Sequence, residues 1–313
     1  MIHQTILSAI GDTPLVTLDR MRPDGGARIL AKIELLNPSG SVKARPAYAM
    51  VRAAEEQALI NPASVLVEAS SGNQGIALAM VGAVLGYRVI IVMPSTMSRE
   101  RIDLIRAYGA EVELTDPGDN ITEAIANAKG RAEELAAADP NVFFTGQFSN
   151  PANPQAHAET TAREVLDALE PGARIDAFVC GIGTGGTLTG AGQVFKREFP
   201  DAKVVAVEPT KAAFLSGWAI EDHIQQGIGD GLLPEVLDTS LIDEIVTVTD
   251  EAAMATARLL ARREGLFAGI SAGSNVWAAK QVAARLGPAR TVLTLCPDNG
   301  ERYLSLGIIS EQG

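Results

Sequence analysis

With 313 residues, 47% of them hydrophobic, the chain is long enough for two lobes or one large domain and can bury a sizeable core. Its 38 Asp and Glu against 26 Lys and Arg give a net charge of -12, which argues against a binder of nucleic-acid phosphates, because such proteins need basic surface to release counterions. Cys180 and Cys296 supply neither a disulfide framework nor a zinc spacing, no apolar run approaches the ~20 residues of a bilayer span and no secretion signal opens the chain, so a protein of the reducing cytoplasm is expected, with no membrane partner.

In chain order, the turn Asn37-Pro38-Ser39-Gly40-Ser41-Val42 runs into Lys43 and a helix predicted over 44–57. A strand over 64–69 leads into the polar loop Ser70-Ser71-Gly72-Asn73-Gln74 and a helix. Strands over 88–93 and 111–115, an amphipathic helix over 121–138 and a strand over 142–145 follow. The segment Asn150-Pro151-Ala152-Asn153-Pro154 then punctuates the chain, and a new series begins with strands over 175–180, 203–208, 244–248 and 290–296. β-Branched runs alternating with Ala/Leu-rich helical segments predict an α/β protein of two lobes, each an open, mostly parallel sheet flanked by helices. The boundary is placed between 147 and 148: an N-terminal lobe of 1–147, part of whose 12–36 stretch packs on the other lobe, and a C-terminal lobe of 148–313, with a cleft between them.

Three places carry chemistry. Strand 175–180 enters Gly181-Ile182-Gly183-Thr184-Gly185-Gly186-Thr187 and then a helix, so backbone N–H groups and a helix N-terminus can converge on an anion. Gly181, Gly183 and Gly186 also spell the dinucleotide fingerprint, with Glu208 where a ribose-binding acid would stand; Thr184 and Thr187 suit a terminal phosphate monoester instead, and a structural turn is the third reading. Ser70 to Gln74 form a second anion cradle or, equally, a plain helix cap. Lys43 stands at a helix N-terminus, where the macrodipole disfavours a cation: it is either a solvated lysine or one held as a neutral or imine-linked amine.

Taken together, Gly11-Asp12-Thr13-Pro14-Leu15, Ser39-Gly40-Ser41-Val42-Lys43, Ser70-Ser71-Gly72-Asn73, the stretch from Gln147 to Pro154, Gly183 to Thr187, Gly227-Ile228-Gly229, Gly269-Ile270-Ser271-Ala272-Gly273 and Gly300-Glu301-Arg302-Tyr303 resemble the cysteine synthase and cystathionine β-synthase family over almost the whole chain. The resemblance implies a fold-type II, tryptophan synthase β-like architecture and pyridoxal 5'-phosphate as cofactor, and it sets the dinucleotide reading aside. Under it Lys43 forms the internal aldimine and then takes the substrate α-proton. Gly183, Thr184, Gly185, Gly186 and Thr187 hold the cofactor phosphate, Asn73 the ring oxygen, and Ser271 faces the ring nitrogen. Ser70, Ser71, Gly72, Asn73 and Gln74 receive the substrate carboxylate, with Gln147 reaching in from the other side of the cleft. The implied reaction is β-replacement through an aminoacrylate: O-acetyl-L-serine and sulfide give L-cysteine and acetate. A homodimer is implied, and a serine acetyltransferase is a candidate partner.

Two residues depart from the family pattern. Gln74 stands where a threonine is usual and lengthens the pocket side chain. Asp230, in Gly227-Ile228-Gly229-Asp230-Gly231, replaces a small apolar residue and could serve as a base in a sulfide-releasing cysteine lyase or a lanthionine-type synthase, or be a solvated loop carboxylate. Ala44-Arg45-Pro46 after the lysine is shared in spelling with synthases of 2,3-diaminopropionate. No metal is expected, because His3, His157 and His223 are scattered and none reads as catalytic.

Overall fold

A computed structural model describes residues 2–70, 72–97 and 99–309. Its elements begin with β1 (Leu15–Thr17), β2 (Arg28–Ile33), α1 (Ala44–Glu56), β3 (Val65–Ala69), α2 (Asn73–Leu85), β4 (Arg88–Pro94), α3 (Arg99–Ala107) and β5 (Glu111–Thr115). Then come α4 (Ile121–Ala138), β6 (Val142–Phe144), α5 (Ala152–Ala156), α6 (Ala162–Ala168), β7 (Ala177–Gly181) and α7 (Gly186–Glu198). The chain ends with β8 (Lys203–Pro209), β9 (Glu244–Val248), α8 (Asp250–Leu259), α9 (Ile270–Leu286) and β10 (Thr291–Cys296). It divides into two compact units, one of residues 1–11 and 37–153 and the other of 12–36 and 154–313, against the expected boundary at 147/148.

The first unit is a parallel sheet in the order β5-β4-β3-β6. Alternation along its strands sorts the core: Leu66, Val89, Ile91 and Met93 pack under α1 and α2, whereas Val67, Ala69 and Val92 meet Ala128 and Ala132 of α4. Helix α2 lies on this sheet and is apolar on every side, with residues from Gln74 to Gly82 buried in succession.

The second unit is a six-stranded sheet, β1-β2-β10-β7-β8-β9, parallel except for the antiparallel β1 edge. Both faces are covered, as parallel strands require. Val179, Val292 and Cys296 join the core beneath α8 and α9, while Phe178, Leu293 and Leu295 join the core beneath α6 and α7. The unpredicted strands β1 and β2 belong here. β1 is only three residues long, and β2 carries Lys32, which is 1% exposed and paired with Glu164 at 2.6 Å. A buried ion pair inside a strand breaks the apolar run by which parallel strands are recognised.

Candidate active site

In the first unit, the turn Pro38–Gly40 delivers Lys43. Ser39 and Gly40 take left-handed backbone at φ 67 and 72, and the Gly40 N–H closes the turn on Asn37 O at 2.8 Å. Lys43 then caps α1, half-buried, with its N–H on Ser41 Oγ at 3.3 Å. Lys43 therefore stands at the positive end of a helix dipole, as the sequence led us to expect.

β3 ends at Ala69, and the candidate carboxylate loop follows. Ser70 Oγ accepts N–H groups from Gly72 at 3.3 Å and Gly75 at 3.1 Å, so its oxygen is committed to starting α2 and its hydroxyl hydrogen is what it can offer. Asn73 opens α2 and is half-buried, while Ser71 lies outside the described residues. Gln74 is 1% exposed, and neither Oε1 nor Nε2 has a hydrogen-bond partner among the described residues. Leaving such a group unpaired costs about 1–3 kcal/mol, a penalty that a bound polar ligand would relieve. Gln147 stands in this same unit rather than across from the loop: its Nε2 donates to Ala69 O at 3.3 Å and its carbonyl accepts from Asn153 Nδ2 at 2.7 Å.

Two residues that sequence reasoning passed over flank this loop. The guanidinium of Arg101, on α3, lies so near Gly72 that a Cβ added there would be 3.9 Å from Arg101 Cζ. Glu68, one residue before the end of β3, is fully buried and its carboxyl is pushed up to about 7 by that burial, against hydrogen bonds from Thr145, Gln147 and Ala69 and the charge of Lys43. A carboxylate within a predicted apolar strand was the available signal.

In the second unit, β7 runs through Ile182, Gly183 and Thr184 into α7, with Gly185 as N-cap in left-handed backbone at φ 80. A Cβ at Gly183 would sit 2.3 Å from Gly227 O, so the turn carrying Gly227 to Gly231 is pressed against the loop, and the Gly229 N–H donates to Ile182 O at 2.8 Å. The same turn brings Asp230 Oδ2 to 3.6 Å from that Cβ position. Thr187 Oγ1 contacts His157 Nε2 at 3.2 Å, and His157 Nδ1 contacts Thr161 Oγ1 at 2.9 Å, so a histidine not read as catalytic contacts a threonine of the glycine-rich loop. Only the fold reveals this, since thirty residues separate His157 from Thr187. Ser271 is buried in the first turn of α9, whose cap Gly269 has no room for a side chain beside Asp298.

The dinucleotide acid is otherwise engaged. Glu208 accepts N–H groups from Leu215 at 2.8 Å and Ser216 at 3.3 Å and the Ser216 hydroxyl at 3.0 Å, which makes it an anchor for its own loop. Both cysteines are buried thiols, with Cys296 pushed up to about 12 by burial and the nearby Asp298 charge. Among the described residues no group of three His, Cys, Asp or Glu could hold a metal ion, and no helix is long and apolar enough to cross a membrane.

A glycine-lined cradle at a helix N-terminus, edged by two threonine hydroxyls, fits a phosphate monoester, and a half-buried lysine amine at a helix start fits an aldehyde partner. That equipment defines an enzyme of the pyridoxal phosphate type. The chain belongs to the pyridoxal-phosphate dependent enzyme family, which it matches over residues 6–298, and its architecture is fold-type II. It is 47% identical over 302 residues to a probable cysteine synthase of Bacillus subtilis (strain 168), covering 96% of each chain. Its structure is similar to that of O-ureido-L-serine synthase, with a TM-score of 0.91 and 43% identity over 100% of this chain and 98% of the other. It is also similar to a hydrogen sulfide-producing enzyme from Fusobacterium nucleatum, at TM-score 0.88 and 39% identity over 96% and 100% of the two chains.

Proposed function

We propose that this enzyme replaces the acetoxy group of O-acetyl-L-serine with sulfide, yielding L-cysteine and acetate. The observation that carries this reading is the 47% identity to a probable cysteine synthase across 96% of both chains. When bound, pyridoxal phosphate withdraws electrons from the α-carbon of the amino acid, which makes the α-proton acidic and the β-substituent expellable.

In the first unit, Lys43 would hold the cofactor through its amine and accept the substrate α-proton at Nζ. Ser70, Gly72, Asn73 and Gln74 take the substrate carboxylate with Gln147, the orphaned Gln74 amide gaining its missing partner; Asn73 also orients the cofactor ring. From the second, Gly183, Thr184, Gly185, Gly186 and Thr187 bind the phosphate dianion, complemented by the α7 dipole. Ser271 would face the ring nitrogen with a neutral hydroxyl, which would favour loss of a β-substituent over transamination. We further infer a cytoplasmic homodimer, to be checked by sedimentation, with a serine acetyltransferase as candidate partner.

Asp230 supports a second reading, in which the enzyme releases sulfide from cysteine. Its carboxylate abuts the phosphate loop, where it can accept a proton from an incoming water or thiol. The test is to follow the cofactor's visible absorption while O-acetyl-L-serine or L-cysteine is added, with sulfide assayed in both. A change with O-acetyl-L-serine that added sulfide reverses, forming cysteine, supports the synthase. Sulfide released from cysteine alone, and lost in Asp230→Asn, supports the second reading and sinks the first.

A further inference from the structure

Nothing in the machinery described above uses His223, yet its ring joins two pieces of backbone in the second unit. Its Nε2 lies 3.0 Å from Gly229 O, and its Nδ1 accepts the Gln225 N–H at 3.1 Å. A carbonyl can only accept and a backbone N–H can only donate, so the ring carries its one proton on Nε2 and keeps a lone pair on Nδ1. Both nitrogens are thereby assigned.

The Gln225 end is an anchor. Gln225 is fully buried: its Nε2 donates to Val248 O at 2.9 Å and to Asp250 Oδ1 at 3.0 Å, and its Oε1 accepts the Ser274 hydroxyl at 2.7 Å. β9, α8 and α9 thus hold the residue from which His223 takes its orientation. The Gly229 end is the part that needs holding. Asp230 stands between Gly229 and Gly231, both in left-handed backbone at φ 72, and backbone flanked by glycines has other conformations open to it unless its peptide planes are fixed. Gly229 is fixed from two sides. Its N–H donates to Ile182 O at 2.8 Å, at the entry to the glycine-rich loop, and its carbonyl meets His223. A Cβ at Gly229 would lie 2.6 Å from Pro209 Cγ and 3.0 Å from His223 Nε2, so the imidazole is seated directly on the glycine backbone. The carbonyl it grips belongs to the peptide that joins Gly229 to Asp230, and the plane of that peptide sets the direction in which Asp230 leaves the turn.

We propose that His223 is a positioning residue for Asp230: its Nε2–H fixes the Gly229–Asp230 peptide and so keeps the Asp230 carboxylate against the glycine-rich loop, with Oδ2 3.6 Å from the place a Cβ would take at Gly183. The consequence for the cofactor rests on residues 183–187 being the phosphate-binding loop. A negative charge held there is a fixed part of the environment of a bound phosphate, and a carboxylate that could swing away would not be at hand to accept a proton.

The test separates the two ends of the ring. In His223→Asn the side-chain oxygen can accept the N–H two residues on, as in an Asx turn, but the short amide does not reach Gly229 O; in His223→Gln the longer amide carries an N–H to that carbonyl. Hydrogen exchange of the cofactor-free full chain, read by mass spectrometry over residues 226–231, is expected to be about tenfold faster than wild type in His223→Asn and within about twofold of it in His223→Gln, since the bond to Gly229 is lost in the first and kept in the second. On the holoenzyme, the phosphorus NMR resonance of bound pyridoxal phosphate is expected to move in the same direction in His223→Asn and Asp230→Asn, to move no further in the double variant, and to return in His223→Gln. Equal exchange in His223→Asn and wild type, equal acceleration by both substitutions, or additive shifts in the double variant would overturn the proposal. A resonance unmoved by Thr184→Ala would instead sink the phosphate-loop reading, while the exchange rates still decide whether His223 holds the turn.

Discussion

A side chain that is buried without partners tells more about function than one that is buried and satisfied. Gln74 is such a residue, with both amide atoms orphaned. Gln74→Met keeps the length of the side chain and removes the polar atoms, so the ligand-free protein should gain about 1–2 kcal/mol in urea denaturation while KM for the amino-acid substrate rises roughly tenfold. An unchanged KM would remove Gln74 from the substrate site. Lys43 makes the opposite case, a polar group with a defined job: Lys43→Ala should cost on the order of a thousandfold or more in kcat/KM and abolish the covalent cofactor's absorption, measured on the purified protein. Gln74 and Lys43 could be singled out in the sequence because Gln74 lies in a polar loop between a predicted strand and a predicted helix, and Lys43 follows a Pro/Ser/Gly turn into a predicted helix. Glu68 and His157 were not, because their partners lie 77 and 30 residues away and only packing brings them together.

At the scale of elements, the recurring unit is a strand whose C-terminal end opens into a small-residue loop that starts a helix. It occurs at β3 to α2 and again at β7 to α7, and in both cases helix N-terminal N–H groups are presented at the carboxyl end of an interior strand, where ligands of α/β folds collect. The second loop works only if the turn from Gly227 to Gly231 can lie against it. Gly183→Ala places a methyl carbon 2.3 Å from Gly227 O, which must move the turn, and we expect pyridoxal phosphate affinity to fall by about tenfold or more in a cofactor titration. Gly190→Ala acts through packing: its Cβ would meet Pro154 O at 1.9 Å, pushing α7 off the segment that carries His157, and should destabilise the protein by about 1–3 kcal/mol. Most strands were readable from apolar runs closed by glycine or proline. β2 escaped because Lys32, buried against Glu164, gives it the look of a surface segment.

For the molecule as a whole, acidity shapes stability from two directions. Burial, partly countered by its hydrogen bonds and by Lys43, raises the Glu68 pKa from 4.5 to about 7, so the folded chain keeps a proton that the unfolded chain releases. That contribution is complete below about pH 4.5 and is lost as pH rises to about 7, on the order of 3 kcal/mol in all. Asp243 behaves inversely: although burial raises its pKa, Lys196, the Val204 N–H and Lys203 together hold it below the usual 3.8, and its contribution disappears as pH falls through that range. Urea midpoints should therefore decline between about pH 5 and 7.5 in wild type and stay flat in Glu68→Gln. A wild-type profile without that decline would contradict the buried-acid assignment.

By itself the sequence determined what is local or periodic. Strand and helix alternation dictates an α/β class, because apolar runs of strand length cannot be buried except in sheets covered on both faces. The loops at 70–74 and 183–187 are anion-binding candidates by composition, and the resemblance supplied the cofactor. Only the tertiary structure decided which distant residues share an environment: that Glu208 serves its own loop, that Gln147 stands beside Ala69, and that the buried Glu68 carboxyl group accepts the Thr145 hydroxyl. The physical reason is that burial and electrostatic coupling depend on separation in space, which a one-dimensional pattern encodes only where neighbours in the fold are also neighbours in the chain.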